Sequence, residues 1–259
     1  MIQSLSQLNT VVVGLVASLA AGLGTGVGAL PIFFAPDISR RILDAMLGFA
    51  AGVMLAATSF SLLIPAIEYA GGGLRGAVTA GLGLLLGGIF LSVIDRLSPH
   101  VHFVSGHEGL PASLSRIWLF VIAIAIHNFP EGLAVGVGFS HGDIGNGLVL
   151  TLGIALQNMP EGLAVAVPLV REGYSKKKAF LIALATGLVE PIGALVGATL
   201  VQLAAPLLPL GLAFAGGAML FVISDEIIPE MRLGGFQRMA THALLAGFVL
   251  MMILDTAIG

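Results

Sequence analysis

His127-Asn128-Phe129-Pro130-Glu131-Gly132-Leu133-Ala134-Val135 and Gln157-Asn158-Met159-Pro160-Glu161-Gly162-Leu163-Ala164-Val165 are two copies of one pattern. Each sits in the middle of an apolar run long enough to cross a bilayer, which takes roughly 20 residues of helix. Carboxylates, amides and an imidazole at that depth are costly, and such residues mark a functional site by default. Repetition of the whole pattern makes chance a poor explanation.

The composition around the two copies supports the membrane reading. Of 259 residues, 57% are hydrophobic and 10% charged, against about 25% charged in soluble domains. A soluble core of this size could not hide so much apolar surface. The 36 glycines suit helices packed closely through small side chains. With no cysteine, disulfides and thiolate metal sites are excluded. No basic patch suits nucleic acid, and no Gly-x-x-x-x-Gly-Lys-Ser/Thr loop offers a nucleotide site. The first apolar run lacks a basic leader and is too long for a signal peptide, so it reads as a span.

Eight spans are expected, over about 8–35, 42–69, 75–95, 114–139, 145–170, 178–204, 207–230 and 237–257, with a loop over 96–113. The fold class is all-α, a single domain over 1–259. Arg40, Arg41, Arg96, Arg116, Arg171, Lys176, Lys177, Lys178, Arg232 and Arg238 all fall on one side of these spans, and only Arg75 on the other. Basic loops stay cytoplasmic, so that side is inside and both termini are outside the cytoplasm. Spans four and five then run in opposite directions and can bring their motifs face to face. Gly52-Val53-Met54-Leu55 with Ser59 in span two is echoed by Gly217-Ala218-Met219-Leu220 with Ser224 in span seven. Inverted repeats that meet at the midplane are a signature of secondary transporters.

Residues four apart share a helix face. His127 and Asn128 are therefore expected to converge on Glu131, and Gln157 and Asn158 on Glu161. Pro130 and Pro160 each lack an N–H, which frees the carbonyls of Ile126 and Leu156. Glu190, followed by Pro191, adds a third carboxylate from span six. No lysine or arginine is expected at that depth, so the carboxylates must take up protons or cations. Imidazole, carboxylate and amide together suit a borderline divalent metal such as Zn²⁺, Fe²⁺ or Mn²⁺. Two divalent ions would set four positive charges against three negative.

His127-Asn128-x-x-Glu131-Gly132, Gln157-Asn158-x-x-Glu161-Gly162, Glu190-Pro191, the stretch Gly48 to Leu55 and the stretch Ser224 to Glu230 together resemble the ZIP family of zinc- and iron-regulated transporter-like proteins, in its prokaryotic GufA-type branch. The resemblance covers the whole chain. It implies an importer of Zn²⁺, with Cd²⁺, Fe²⁺ or Mn²⁺ as related cargo, in the cell membrane, with no organic cofactor. It also implies an inverted 3+2+3 arrangement and an elevator-like motion of spans one, four, five and six against two, three, seven and eight. His127, Glu131, Gln157 and Glu161 would form one metal position. Asn128, Glu131, Asn158, Glu161 and Glu190 would form a second. Many members carry His where Gln157 stands.

Other candidates are peripheral. His100, His102, His107 and Glu108 would offer a small capture site on the loop between spans three and four, or an ordinary solvated turn. Asp225, Glu226 and Glu230 would line an exit path, or pair with Arg232 and Arg238. His141 and Asp143 lie on an outer loop, and Met54 and His242 read as packing residues. Faces rich in small residues admit a homodimer. A cation channel and an intramembrane metal-dependent hydrolase remain as alternatives. The hydrolase is disfavoured by the absence of His-Glu-x-x-His and of a spare nucleophile.

Overall fold

The computed structural model describes residues 9–35, 38–97, 100–102, 106–108, 116–139, 144–232 and 234–258. Eight helices in it are long and apolar enough to cross a membrane. They are α1 (Thr10–Phe34), α2 (Arg40–Tyr69), α3 (Gly73–Leu97), α4 (Arg116–Phe139), α5 (Ile144–Arg171), α6 (Lys176–Leu203), α7 (Leu208–Glu230) and α8 (Gln237–Ile258). Among the described residues the β structure is one hairpin, β1 (His100–His102) paired antiparallel with β2 (Gly106–Glu108). The all-α expectation stands apart from this small addition.

Local signals set the helix ends. Asn9, Ser39 and Ser175 each accept a bond from a backbone N–H in the first turn of α1, α2 and α6, the usual work of an N-cap. The α2–α3 turn runs through Gly71, Gly72 and Gly73, all at positive φ, where a Cβ would be strained.

Four helices depart from a straight α-helix. In α1 the helix breaks at Leu30 and resumes over Pro31–Phe34. In α6 the helix stops at Gly187 and restarts at Glu190. In α2 and α7 a wider π-helical turn covers Ala57–Leu63 and Ile223–Ile227. Such turns gather at functional sites. By contrast, α4 continues through Pro130 and α5 through Pro160.

Glycines decide which helices sit together. In α1, a Cβ on Gly28 would fall 1.9 Å from the Met159 carbonyl oxygen of α5, and one on Gly22 2.3 Å from that of Gly187 in α6. In α4, Gly136 meets the carbonyl of Ala194 in α6 in the same way. A separate set joins α2 to α8, through Gly52 and Leu244, and α3 to α7, through Gly87 and Phe214. Two groups result: α1, α4, α5 and α6, and α2, α3, α7 and α8. Within each group, backbones touch. Among the described glycines, the two that face the other group, Gly153 and Gly211, meet side chains: Met251 and Val53 in one case, Val137 and Val201 in the other.

The outer faces are apolar. Leu85, Ile89, Leu245 and Ile253 are all more than half exposed, a surface that only lipid or another protein would cover.

Candidate metal site

The two motif copies lie on neighbouring antiparallel helices, and the glycine after each glutamate fixes what packs beside it. A Cβ on Gly132 would sit 1.9 Å from the Glu190 carbonyl oxygen, and one on Gly162 1.8 Å from that of Thr25. So Glu131-Gly132 receives the restart of α6, and Glu161-Gly162 receives the backbone of α1. Glu190 is the first residue of the second half of α6 and lies against Gly22 of α1. Broken helices at membrane depth are tolerated where they line a polar cavity, and in transporters they build the site.

His127, Asn128, Glu131, Gln157, Asn158, Glu161 and Glu190 are all buried, none more than 1% exposed. The structure therefore buries all seven residues expected at the midplane. It alters their pairing. Gln157 Nε2 donates to Glu131, on the opposite motif, and not to Glu161. Asn158 Nδ2 donates to Glu190 Oε1 at 2.6 Å and to the Ala21 carbonyl at 2.8 Å. The expected convergence within each motif thus gives way to bonds between helices. An amide on α5 reaches α4, α6 or α1 more directly than a carboxylate one turn along its own helix.

Much of this polar surface is left over. Among the described residues, nine of twelve buried side-chain N and O atoms without a hydrogen-bond partner belong to these seven residues. They include both oxygens of Glu161, one each of Glu131 and Glu190, the oxygens of Asn128, Gln157 and Asn158, and His127 Nδ1. Buried polar atoms are nearly always paired. A cluster of unpaired acceptors with no lysine or arginine beside it fits cation ligation. Among the described residues no three His, Asp or Glu side chains are drawn together as a finished coordination sphere. Amides hold Glu131 and Glu190 instead, and Glu161 has no hydrogen-bond partner.

Glu226 lies against this cluster, whereas its position in the sequence suggests an exit path or a pair with Arg232 and Arg238. Its carboxylate bonds His127 Nε2. A carboxylate accepts, so in the neutral imidazole Nε2 carries the proton and Nδ1 keeps its lone pair. Metal-binding histidines commonly use one ring nitrogen for the metal and donate the other N–H to a carboxylate. Glu226 comes from the π-helical turn of α7, in the other helix group. A wider turn re-aims one side chain, a shift that heptad counting does not reveal.

The other peripheral residues separate. Glu230 pairs with Arg40, Nη2 to Oε1 at 2.8 Å. Arg40 also bonds Asp44 at 2.7 Å, and Asp44 is fully buried. Asp225 is exposed. Met54 is fully buried in the main apolar cluster, and His242 is exposed. In the hairpin, His100 stands opposite Glu108 and His107 opposite Val101. His141 and Asp143 lie outside the described residues.

Comparison with known proteins decides the family. Residues 105–255 match the family model described as ZIP Zinc transporter. The chain belongs to the ZIP family. The chain is 49% identical to the zinc transporter GufA of Myxococcus xanthus, over 95% of this chain and 99% of that protein. It is 47% identical to the zinc transporter ZIPB of Bordetella bronchiseptica, over 93% and 80%. Against the zinc transporter ZIP11 of Homo sapiens the figure is 36%, over 91% and 94%. This ZIP chain is accordingly a multi-pass membrane protein and a metal-ion transporter, not an enzyme.

Proposed function

We propose that the protein imports Zn²⁺, and related ions such as Cd²⁺, Fe²⁺ and Mn²⁺, into the cytoplasm through a two-metal site. The observation that carries this reading is the cluster of unpaired buried acceptors on Glu131, Glu161, Glu190 and their amide and imidazole neighbours. His127 Nδ1, Glu131, Gln157 and Glu161 form one position. Asn128, Asn158 and Glu190 complete a second, with Glu131 and Glu161 shared. The basic ends of the helices face the cytoplasm, and both termini lie outside it.

The test is uptake into proteoliposomes with a panel of Zn²⁺, Cd²⁺, Fe²⁺, Mn²⁺ and Mg²⁺. Saturable Zn²⁺ uptake with Mg²⁺ excluded is the expected result. Equal movement of Mg²⁺ would sink the site chemistry, because Mg²⁺ sheds water reluctantly and has no use for imidazole.

The inverted 3+2+3 arrangement has support in the pairing of helices. Neighbours are α1 with α5, α4 with α6, α2 with α8, and α3 with α7. Exchanging α1 with α6, α2 with α7, α3 with α8 and α4 with α5 returns the same four pairs. The π-helical turns of α2 and α7 obey the same exchange.

Elevator-like movement has support in the glycine contacts. Backbone-to-backbone seating inside each group resists sliding, because any shift would drive a Cα into a neighbouring carbonyl. Side-chain contact between the groups can be remade by rotamer changes. The sequence contains no cysteine, so Gly153→Cys with Met251→Cys supplies a unique thiol pair across the groups. Joining the pair with a short bifunctional thiol reagent should stop uptake. A cation channel would keep conducting, and undiminished flux through the cross-linked protein would favour that alternative.

Glu226→Gln should weaken zinc affinity about 10- to 100-fold, the usual loss when the partner of a metal-binding histidine is removed. Half-saturation of uptake measures it. Gln157→His should tighten zinc binding and sharpen selection against Mn²⁺, since imidazole is the better ligand for Zn²⁺. Competition of Mn²⁺ with zinc uptake checks it, and unchanged competition would place Gln157 outside the metal's reach.

A further inference from the structure

A groove of about 580 Å³ runs along the outer face of the molecule between α3 and α7. Gly88 and Gly217 give it depth, and Leu85, Ile89 and Phe221 give it apolar walls. At its basic end it holds Arg96, in the last turn of α3, with Ser92 and Ser224 beside it. Arg96 and Ser224 are exposed and Ser92 is half-buried. Among the described residues Arg96 has no ion pair, and neither serine hydroxyl bonds a neighbouring group. Serines within helices usually satisfy themselves on the carbonyl four residues back, as Ser59 does on Leu55. Unspent hydroxyls and a guanidinium at the end of an apolar slot form an amphipathic receptor.

We propose that this groove binds an anionic phospholipid of the cytoplasmic leaflet, with the headgroup phosphate on Arg96 and an acyl chain along the walls. Charge decides the occupant. The lining contains no carboxylate, so a second copy of this face would bring no counter-charge to Arg96. An anionic headgroup lies at the depth of the last helical turn, where basic residues near the surface attract it. The groove also touches function. Ser224 lies in the same π-helical turn as Glu226, which bonds His127. A lipid seated on Ser224 holds that turn and so steadies the carboxylate that orients the histidine. This second half rests on the transport reading above; the binding itself does not.

Spin-labelled phosphatidylglycerol and phosphatidylcholine in proteoliposomes, read by electron paramagnetic resonance, test the binding directly. The wild-type protein should immobilise the anionic probe in preference to the neutral one. Arg96→Gln should at least halve that preference. Gly88→Leu should do the same by filling the slot. A Cβ at Gly88 meets its nearest neighbour, the Gly217 carbonyl oxygen, at 3.6 Å, so the added side chain has room to start. Lys176→Gln, on the other helix group, should leave the preference intact. The proposal is overturned if Arg96→Gln and Gly88→Leu retain the full preference, or if Lys176→Gln abolishes it instead. It is also overturned if Gly88→Leu changes only the oligomeric mass, which would assign the groove to a second copy. Zinc uptake with and without phosphatidylglycerol then tests the coupling. The wild type should gain at least twofold from the lipid and Arg96→Gln should not. Loss of all uptake in every lipid would count against the transport reading and leave the spin-label result standing.

Discussion

Glu161→Ala should reduce zinc uptake by at least about a hundredfold and leave the protein as stable as before, or more so. The two effects have one cause. Both carboxylate oxygens of Glu161 are buried without a hydrogen-bond partner. A desolvated, unpaired polar group is a cost to the folded state, about 1–3 kcal/mol for a neutral group and more for a charged one. Replacing it with a methyl group removes that cost. The same atoms are what a cation would bind, and loss of a mere partner to a metal ligand already weakens sites 10- to 100-fold. Thermal unfolding without metal should therefore match or exceed the wild type. Adding Zn²⁺ should raise the wild-type midpoint, because a ligand that binds only the folded form stabilises it; the variant should not respond. Near-normal uptake by Glu161→Ala would refute the site assignment. A large fall in its metal-free stability would say that Glu161 is a structural group.

Gly162→Ala should lower stability and uptake together, the opposite pattern. The new Cβ would lie 1.8 Å from the Thr25 carbonyl oxygen. That contact is with backbone, so no rotamer change relieves it and α1 must move off α5. Overpacking of this kind typically costs ~1–3 kcal/mol, occasionally more. The shift also draws α1 away from Asn158, which bonds the Ala21 carbonyl. The expected result is a fall of several degrees in the unfolding midpoint and a drop in uptake of at least tenfold. Gly81→Ala in α3, whose Cβ would meet nothing within 4 Å, is the matched control and should behave as wild type. Equal stability of Gly162→Ala and the control would mean that the helices seat less tightly than these contacts require.

Much of the fold was legible because membranes impose a simple code. Eight apolar runs, each long enough to cross, correspond to eight helices with ends shifted by a few residues. The burial of Glu131, Glu161 and Glu190 was legible too, since each lies in the middle of an apolar run. Their bonding was not. Helical spacing tells which residues share a face, but Gln157 bonds Glu131 across a helix pair, and the distance between two helices is set by residues such as Gly132 and Gly162. The Glu-Gly pairs carried that signal: glycine after each glutamate is what allows a foreign backbone to approach. Glu226 was harder. The π-helical turn that aims it at His127 adds a residue to the helical register, and its partner lies on a distant segment. The break in α6 was half visible, in Glu190-Pro191, because proline is best tolerated in the first turn of a helix; Pro130 and Pro160, inside continuous helices, show that proline alone does not decide a break.

In the proposed inverted arrangement α1–α3 and α6–α8 repeat one plan with opposite orientation, but their chemistry differs. Counting from Gly52 and Gly217, the residue that corresponds to Glu226 in α7 is Ser61 in α2. Ser61 turns away to Asp255 of α8. His127 thus has a carboxylate companion, and its counterpart Gln157 has a different one from its own helix group. A carrier that draws on no energy source cannot turn such lopsidedness into a preferred direction; the concentration gradient alone sets net flow. What the asymmetry can do is divide the work unequally between the two sides of the membrane. Zinc should be held with different half-saturation when presented from the outer face than from the inner face. Detailed balance then demands compensating differences in the rates, so that at equal concentrations no net movement occurs.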